Sequence, residues 1–411
     1  MSAPFVVVAL MNLAFVLGVL INLGGLLTWV ERKQGAVMAN RIGANRAYIP
    51  IPLPKAGGGI RWYKRFTLVG LFHALTDGAK MIFKEDYTPP FVDKVVYNIA
   101  PWFAVVPALV TFAVVPFGGP FQPGIMLSDV LGAVGFQAAA DAVHGFFGDD
   151  VFHMQLANLN VGVLFLFAAG STGIFATALA GWASNNKFSI MGALRGSSQM
   201  ISYEVFMGMS LLGLLLIYGT VDMNLIAQMQ GDAWFGVIPK WGVVYQPVAF
   251  FLFLTALMAE NKRVPFDMPE AESELVAGYF TEYSAMKMGL FMMAEFIEIA
   301  VISGIMVALF LGAYHVPGVH AVSDLWYWAQ HPDLVPANTF FGADVPHVVV
   351  IVTRVAAFMI KLVLFCWLQI LTRWTLPKFR YDQVMRLGWK ILLPLSLINL
   401  VVTAGLVLVL G

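Results

Sequence analysis

The chain has 411 residues, 59% of them hydrophobic and only 12% charged, and its 24 basic and 24 acidic side chains cancel to a formal net charge of zero. A soluble domain carries roughly twice that charged fraction, so most of the chain is expected in lipid, and the neutral balance offers no basic patch for nucleic acid. A single cysteine, Cys366, excludes a disulfide framework and any cysteine-held iron–sulfur or zinc site within the chain, so a redox centre has to belong to a partner.

The first apolar run, 4–30, is too long for a signal-peptide core and has no basic residue before it. It ends in Glu31-Arg32-Lys33 without a small-residue cleavage site, which predicts a retained first helix. Further apolar segments follow at 98–116, 158–182, 198–219, 246–259, 276–313, 346–372 and 389–410. This predicts an all-α polytopic membrane protein of about eight transmembrane helices, with residues 1–411 forming a single integral membrane domain. The fifth segment is short for a span. The sixth exceeds the roughly 30 Å hydrocarbon core and has to tilt, break near Gly289, or begin outside the lipid.

Basic residues are distributed unevenly. The stretch from Arg32 to Lys94 and the stretches 183–197, 260–287 and 373–390 hold 21 of the 24, whereas the alternate loops hold only Lys240. The positive-inside rule then places both termini outside and the loops after helices 1, 3, 5 and 7 in the cytoplasm or matrix. Six of the seven histidines fall in the outer loops or, for His347, at their edge. Their spacing fits no ligand motif, so they read as surface residues and no metal site is predicted.

Three stretches carry chemistry. Over Phe66 to Glu85, Leu68, Val69, Phe72, Leu75, Ala79 and Ile82 share one helical face, and His73, Asp77, Lys80 and Lys84 line another. The spacing predicts an interfacial amphipathic helix in the headgroup layer. Residue types alone leave two readings open, a membrane anchor or the entrance for an amphiphilic substrate. The loop after the fifth segment gathers Glu260, Asp267, Glu270, Glu272 and Glu274, with Glu282 close behind. Asp267 and Glu270 have the spacing of a capping box, with Glu270 and Glu274 on one helical face. The remaining acids fit either a solvated acidic loop or a group whose mutual repulsion suits it to proton exchange. Finally, Glu204, Glu295 and Glu298 interrupt apolar spans. Ionised carboxylates in hydrocarbon cost several kcal/mol, so these should face the bundle interior, with Arg354 and Lys361 as possible partners.

Several of these residues belong to longer blocks. Ala180 to Lys187, Gly192 to Arg195, Gln199-Met200-Ile201-Ser202-Tyr203-Glu204-Val205, Pro265-Phe266-Asp267, Glu270 to Gly278 and Phe379 to Gln383 follow in order, with Glu31-Arg32-Lys33 and Lys84-Glu85 at the start. Together they resemble, over nearly the whole chain, the quinone-chamber membrane subunit of respiratory complex I (the subunit 1 type, called H in bacteria). The resemblance implies a membrane subunit of a proton-pumping NADH:quinone oxidoreductase, in the bacterial inner membrane rather than the mitochondrial one. Quinone would enter between helices 1 and 6 and the interfacial helix. Its reductant would be an iron–sulfur cluster of a redox-arm partner, with FMN and NADH also on partner subunits and no cofactor on this chain. Other partners would be small membrane-arm subunits and lipid. By position, Arg32, Arg41, Asp77, Arg263 and Asp267 match quinone-channel residues. Glu204, Glu260, Glu270, Glu272, Glu274, Glu282 and Glu295 match an acidic funnel for proton coupling.

The sequence departs from that pattern in places. Gly43-Ala44-Asn45 replaces the usual Gly-Pro-Asn, and an arm is inserted at 46–65, whose alternating prolines and Gly57-Gly58-Gly59 suggest a polyproline-like segment on a flexible joint. His73-Ala74 stands where the family has Gln-Pro, Phe206 replaces a common proline, and Glu298 is an additional acid. Rival readings are the equivalent subunit of a ferredoxin- or F420-linked dehydrogenase or membrane-bound hydrogenase, and a secondary transporter with midplane carboxylates, which would show an internal repeat that is not evident.

Overall fold

The computed structural model describes residues 3–54, 60–234 and 238–410. Among them, seven helical segments are long and apolar enough to cross a membrane, and the shorter apolar helix Pro247–Glu260 makes an eighth candidate.

The first helix, α1 (Ala3–Met38), is followed by strands β1 (Ile49–Pro54) and β2 (Ile60–Phe66), then by α2 (Phe72–Phe83) and α3 (Lys94–Thr111). Two short helices, α4 (Pro123–Ala133) and α5 (Gln137–Phe147), lie in the long loop before α6 (Gly162–Ser171) and α7 (Gly173–Ala183), which together form the third span. Next come α8 (Lys187–Tyr218), the short α9 (Met223–Met229) and α10 (Gly242–Tyr245), then α11 (Pro247–Glu260) and a single turn α12 (Glu272–Leu275). The chain continues through α13 (Ala285–Phe310), α14 (Leu325–Gln330) and α15 (His347–Thr375), and ends with α16 (Tyr381–Leu387) and α17 (Leu393–Leu410).

Lipid offers no backbone hydrogen bonds, so each span closes its own ladder and its ends are capped by polar groups. Asp93 accepts from the backbone N–H groups of Val95 and Val96 to open α3. Asn186 caps α8 through the N–H of Phe188, and Gly219, at a φ of 63°, closes it in the left-handed conformation. The middle of the bundle is α13, whose residues from Ala294 to Phe310 are almost all buried against α1, α3 and α15. Acids on that helix are therefore surrounded by protein.

Several expectations change. The sixth span is shorter than the apolar run: residues 276–284 form turns and a short 3-10 segment, and the regular helix starts at Ala285. The inserted arm is a two-stranded antiparallel ribbon, with Ile49 opposite Phe66, in place of a polyproline segment. Prolines at 50, 52 and 54 carry no N–H group, and the register shifts between Ile51 and Leu53. Residues 55–59, including its glycines, lie outside the described residues. The interfacial helix starts at Phe72, because Leu68 and Val69 have positive φ (43° and 57°) and break the helical path. Two of the outer histidines are buried: His315 (7% exposed) sits beneath the end of α13, and His347 (0%) bonds Asn338 Oδ1 at 2.9 Å.

The expected pairing of Arg354 and Lys361 with the intramembrane acids is not formed. Arg354 makes a two-point ion pair with Asp324, and Lys361 donates to the carbonyls of Leu311, Ala313 and His315 at 2.8–3.1 Å, closing the end of α13. Depth explains the difference. Cys366 lies level with Ser303 on α13, 3.3 Å away, so Arg354, a dozen residues earlier on α15, stands about 18 Å nearer the opposite end of the bundle.

Candidate functional site: a buried chain of carboxylates and loop cations

The site lies at the basic end of the bundle, where the ends of α1, α11 and α15 meet the segment 261–284. Glycines fix that segment in place. A Cβ at Gly192 would stand 2.7 Å from the Pro269 carbonyl oxygen, and one at Gly196 would stand 2.8 Å from the Pro269 ring. Two glycines one turn apart thus form a seat on α8 for Pro269. Gln199, one turn further on, donates to the carbonyls of Ala259 (2.6 Å) and Phe266 (2.8 Å), tying the end of α11 to the loop.

Arg263 is the hub. Its guanidinium is 2.5 Å from Glu31 at the end of α1 and 3.5 Å from Glu295 on α13, and it lies 4.2 Å over the Phe296 ring. Burial opposes its charge, but Glu31 and Glu295 more than offset this and hold its pKa above the ordinary value. Glu31 also binds Arg373 of α15 at 2.5 Å. Two spans and one loop are therefore joined through a single carboxylate, and Arg263 adds α13.

Behind this hub the acids divide into two groups. Glu270 reaches the carboxyl of Glu295, and Tyr279 Oη donates to Glu295 at 3.5 Å. Burial pushes the Glu270 pKa well above the ordinary carboxyl range, and the neighbouring Glu295 pushes it further. Asp267 is also raised by burial, against the pull of Lys378, whose ammonium is 3.3 Å away. The second group, Glu204, Glu260 and Glu298, lines a cavity of about 40 Å³ between α3, α6, α8, α11 and α13. Gly170 makes room there: a Cβ in its place would approach Glu260 Oε1 to 3.3 Å.

The other site residues stand apart. Arg32 and Asp77 pair at 2.6 Å where α2 crosses α1, both substantially exposed, and Arg41 is exposed in the turn after α1. Glu274 pairs with Arg195 of α8 at 2.5 Å. Glu282 accepts from Asn186 Nδ2 at 2.7 Å. The side chain of Glu272 lies outside the described residues. The capping box does not form, because Ala271 is left-handed and only the turn α12 follows. Asp267 accepts a single long bond from the Ala271 N–H (3.4 Å), and Glu270 turns inward while Glu274 turns to α8.

Sequence reasoning missed Glu31, Arg373, Lys262, Lys378 and Tyr279 as members of the site. Glu31 did carry a signal, an acid at the very end of a long apolar run. The two adjacent loop cations Lys262-Arg263 carried another, since they sit next to the acids in sequence.

The NADH dehydrogenase family profile matches residues 10–404, which include every site residue named above. The chain belongs to this NADH dehydrogenase family. It is 37% identical to an H-type subunit of NADH-quinone oxidoreductase from Cytophaga hutchinsonii, covering 93% of this chain and 91% of that protein. It is 35% identical to the H-type subunit of the NADH-quinone oxidoreductase of Flavobacterium johnsoniae over 99% of this chain and 97% of that protein. A third relative, an H-type NADH-quinone oxidoreductase subunit of Geobacter metallireducens, is 36% identical over 98% and 97%. Within the NADH dehydrogenase family, then, the chain is a multi-pass membrane relative of these H-type subunits.

Proposed function

We propose that this chain is the membrane subunit of a proton-pumping NADH:quinone oxidoreductase that walls the quinone chamber and carries protonation changes from it into the membrane. The observation that carries the reading is the Arg263 hub, which joins the loop bearing Asp267 and Glu270 to Glu295 inside the bundle. A quinone being reduced takes up protons and charge. A carboxyl whose proton affinity is raised by burial and by a second carboxyl is suited to answer that change. Quinone approaches from the membrane beside α1, α13 and α2, past Arg32, Arg41 and Asp77. The electrons come from an iron–sulfur cluster of a redox-arm partner, with FMN and NADH on further subunits. The basic loops face the cytoplasm of a bacterial inner membrane, and both termini lie outside. Small membrane-arm subunits and lipid cover the remaining faces.

The test is Glu204→Gln and Glu274→Gln, which keep size but cannot titrate. In equal amounts of assembled complex, electron flow from NADH to artificial acceptors should persist, while quinone reduction and proton movement in vesicles fall together. Aspartate at the same positions should retain part of both. Full coupled activity in both glutamine variants would reduce these carboxylates to structural residues.

A further inference from the structure

Glu298 is an acid the family pattern does not call for, and its surroundings give it a specific place. It lies one helical turn beyond Glu295 on α13, about 4.5 Å along the axis. Glu295 belongs to the group with Arg263, Glu270 and Tyr279, whereas Glu298 lines the cavity shared with Glu204 and Glu260. One carboxylate oxygen of Glu298 faces the Lys262 ammonium at 3.8 Å. Its other oxygen, Oε2, is buried without a hydrogen-bond partner. The charged and titratable groups around it are Lys262 and Arg263 of the loop, Tyr279, Glu260 of α11, Glu204 of α8 and Glu295 of its own helix. The cavity has room for a few water molecules.

We propose that Glu298 is a proton-relay residue linking the Glu270–Glu295 pair to the Glu204–Glu260 cavity, with Lys262 as its counter-charge. The inference rests on the function proposed above and adds the missing step between its two groups of acids. The O–H bond of a protonated Glu295 breaks as an O–H bond forms on the Glu298 carboxylate. The proton then passes, directly or through water in the cavity, to the carboxylate of Glu260 or Glu204. Lys262 keeps its proton throughout and balances the negative charge when Glu298 is ionised.

The rival reading is a structural ion pair, and a double variant separates the two. Quinone reduction and proton movement are measured in vesicles normalised to assembled complex, for Glu298→Gln, Glu298→Asp, Lys262→Gln with Glu298→Gln, and Glu204→Gln. For a relay, Glu298→Gln lowers both activities about tenfold. That is less than the roughly hundredfold expected of a positioned acid–base group, because water in the cavity offers a slower path. Glu298→Asp restores part. The double variant has no stranded charge and so remains testable should the single one fail to assemble, and it stays as low. Parental coupling in the double variant overturns the inference. If Glu204→Gln is impaired in that same experiment, only the Glu298 step fails; if Glu204→Gln is also parental, the proposed function fails with it.

Discussion

Replacing Arg263 with methionine tests whether the hub is held by charge. Methionine keeps the stacking volume on Phe296 but removes the guanidinium that faces Glu31 and Glu295. The two carboxylates are not affected alike. Glu31 keeps Arg373 at 2.5 Å, so its charge stays compensated, whereas Glu295 is left with Tyr279 and the carboxyl of Glu270. All three members of the original pair of contacts are about nine-tenths buried (11%, 12% and 11% exposed), so solvent does little to screen the loss. Breaking one partner out of a buried pair costs about 3–5 kcal/mol, and Arg373 brings the expectation to the lower end, about 3 kcal/mol. For a chain of this size that corresponds to a fall of about 4 °C in the thermal midpoint. The assay is thermal unfolding of the purified complex in lipid nanodiscs, followed by loss of the subunit from the assembly. Adding Glu295→Gln removes the stranded charge and should recover most of the lost stability while quinone reduction stays low. A double variant no more stable than Arg263→Met would refute the electrostatic account of the hub.

Other expectations follow from the same geometry. Glu270 binds its proton more tightly in the folded chain than in the unfolded one. Its contribution is therefore fully present below the ordinary carboxyl value of 4.5 and is lost as pH rises through its higher folded value. Glu270→Gln should gain thermal stability relative to the parent as pH rises above 4.5, and a difference independent of pH would show that burial does not raise the proton affinity of that carboxyl. Asp77→Asn removes the partner of Arg32 in a half-exposed pair worth under about 1 kcal/mol, so assembly should survive while the quinone KM rises several-fold; unchanged quinone kinetics would make α2 an anchor only. A reporter fused after residue 411 should be active only outside the cytoplasm, and cytoplasmic activity would reverse the orientation drawn from the basic loops.

The spans were legible because the cost of leaving backbone groups unsatisfied in lipid forces long apolar helices, and that cost is written in composition. The fifth span and the late start of the sixth show where hydropathy is less informative: it cannot tell a short helix such as α11 from part of a loop, nor an apolar turn segment such as 276–284 from helix. Intramembrane acids were legible for the same energetic reason. Their partners were not. Helical spacing proposed Arg354 and Lys361, but spacing says nothing about depth, and depth assigns those cations to Asp324 and to the carbonyls at the far end of α13. The capping box failed for a related reason. Its spacing was correct, but Gly192 and Gly196 draw Pro269 onto α8, and the loop turns at Ala271 before a helix can start.

These misses share a cause that also explains how the site is built. A carboxylate within the bundle cannot be neutralised by the nearest cation in sequence unless the chain returns that cation to the same depth. Lys262 and Arg263 achieve this because α11 ends level with the acids of α13, and Gln199 holds that end in place. The two adjacent cations then face different acids, Lys262 facing Glu298 and Arg263 facing Glu295 and Glu31. A shift of the loop by a fraction of a helical turn would change both contacts at once. Under the function proposed above, a quinone bound beside Asp267 would push on this segment, so binding would alter the charge balance of both groups of acids through one mechanical element. Coupling of that kind would need no rearrangement of the spans themselves, in keeping with the close packing of α13 around its titratable groups.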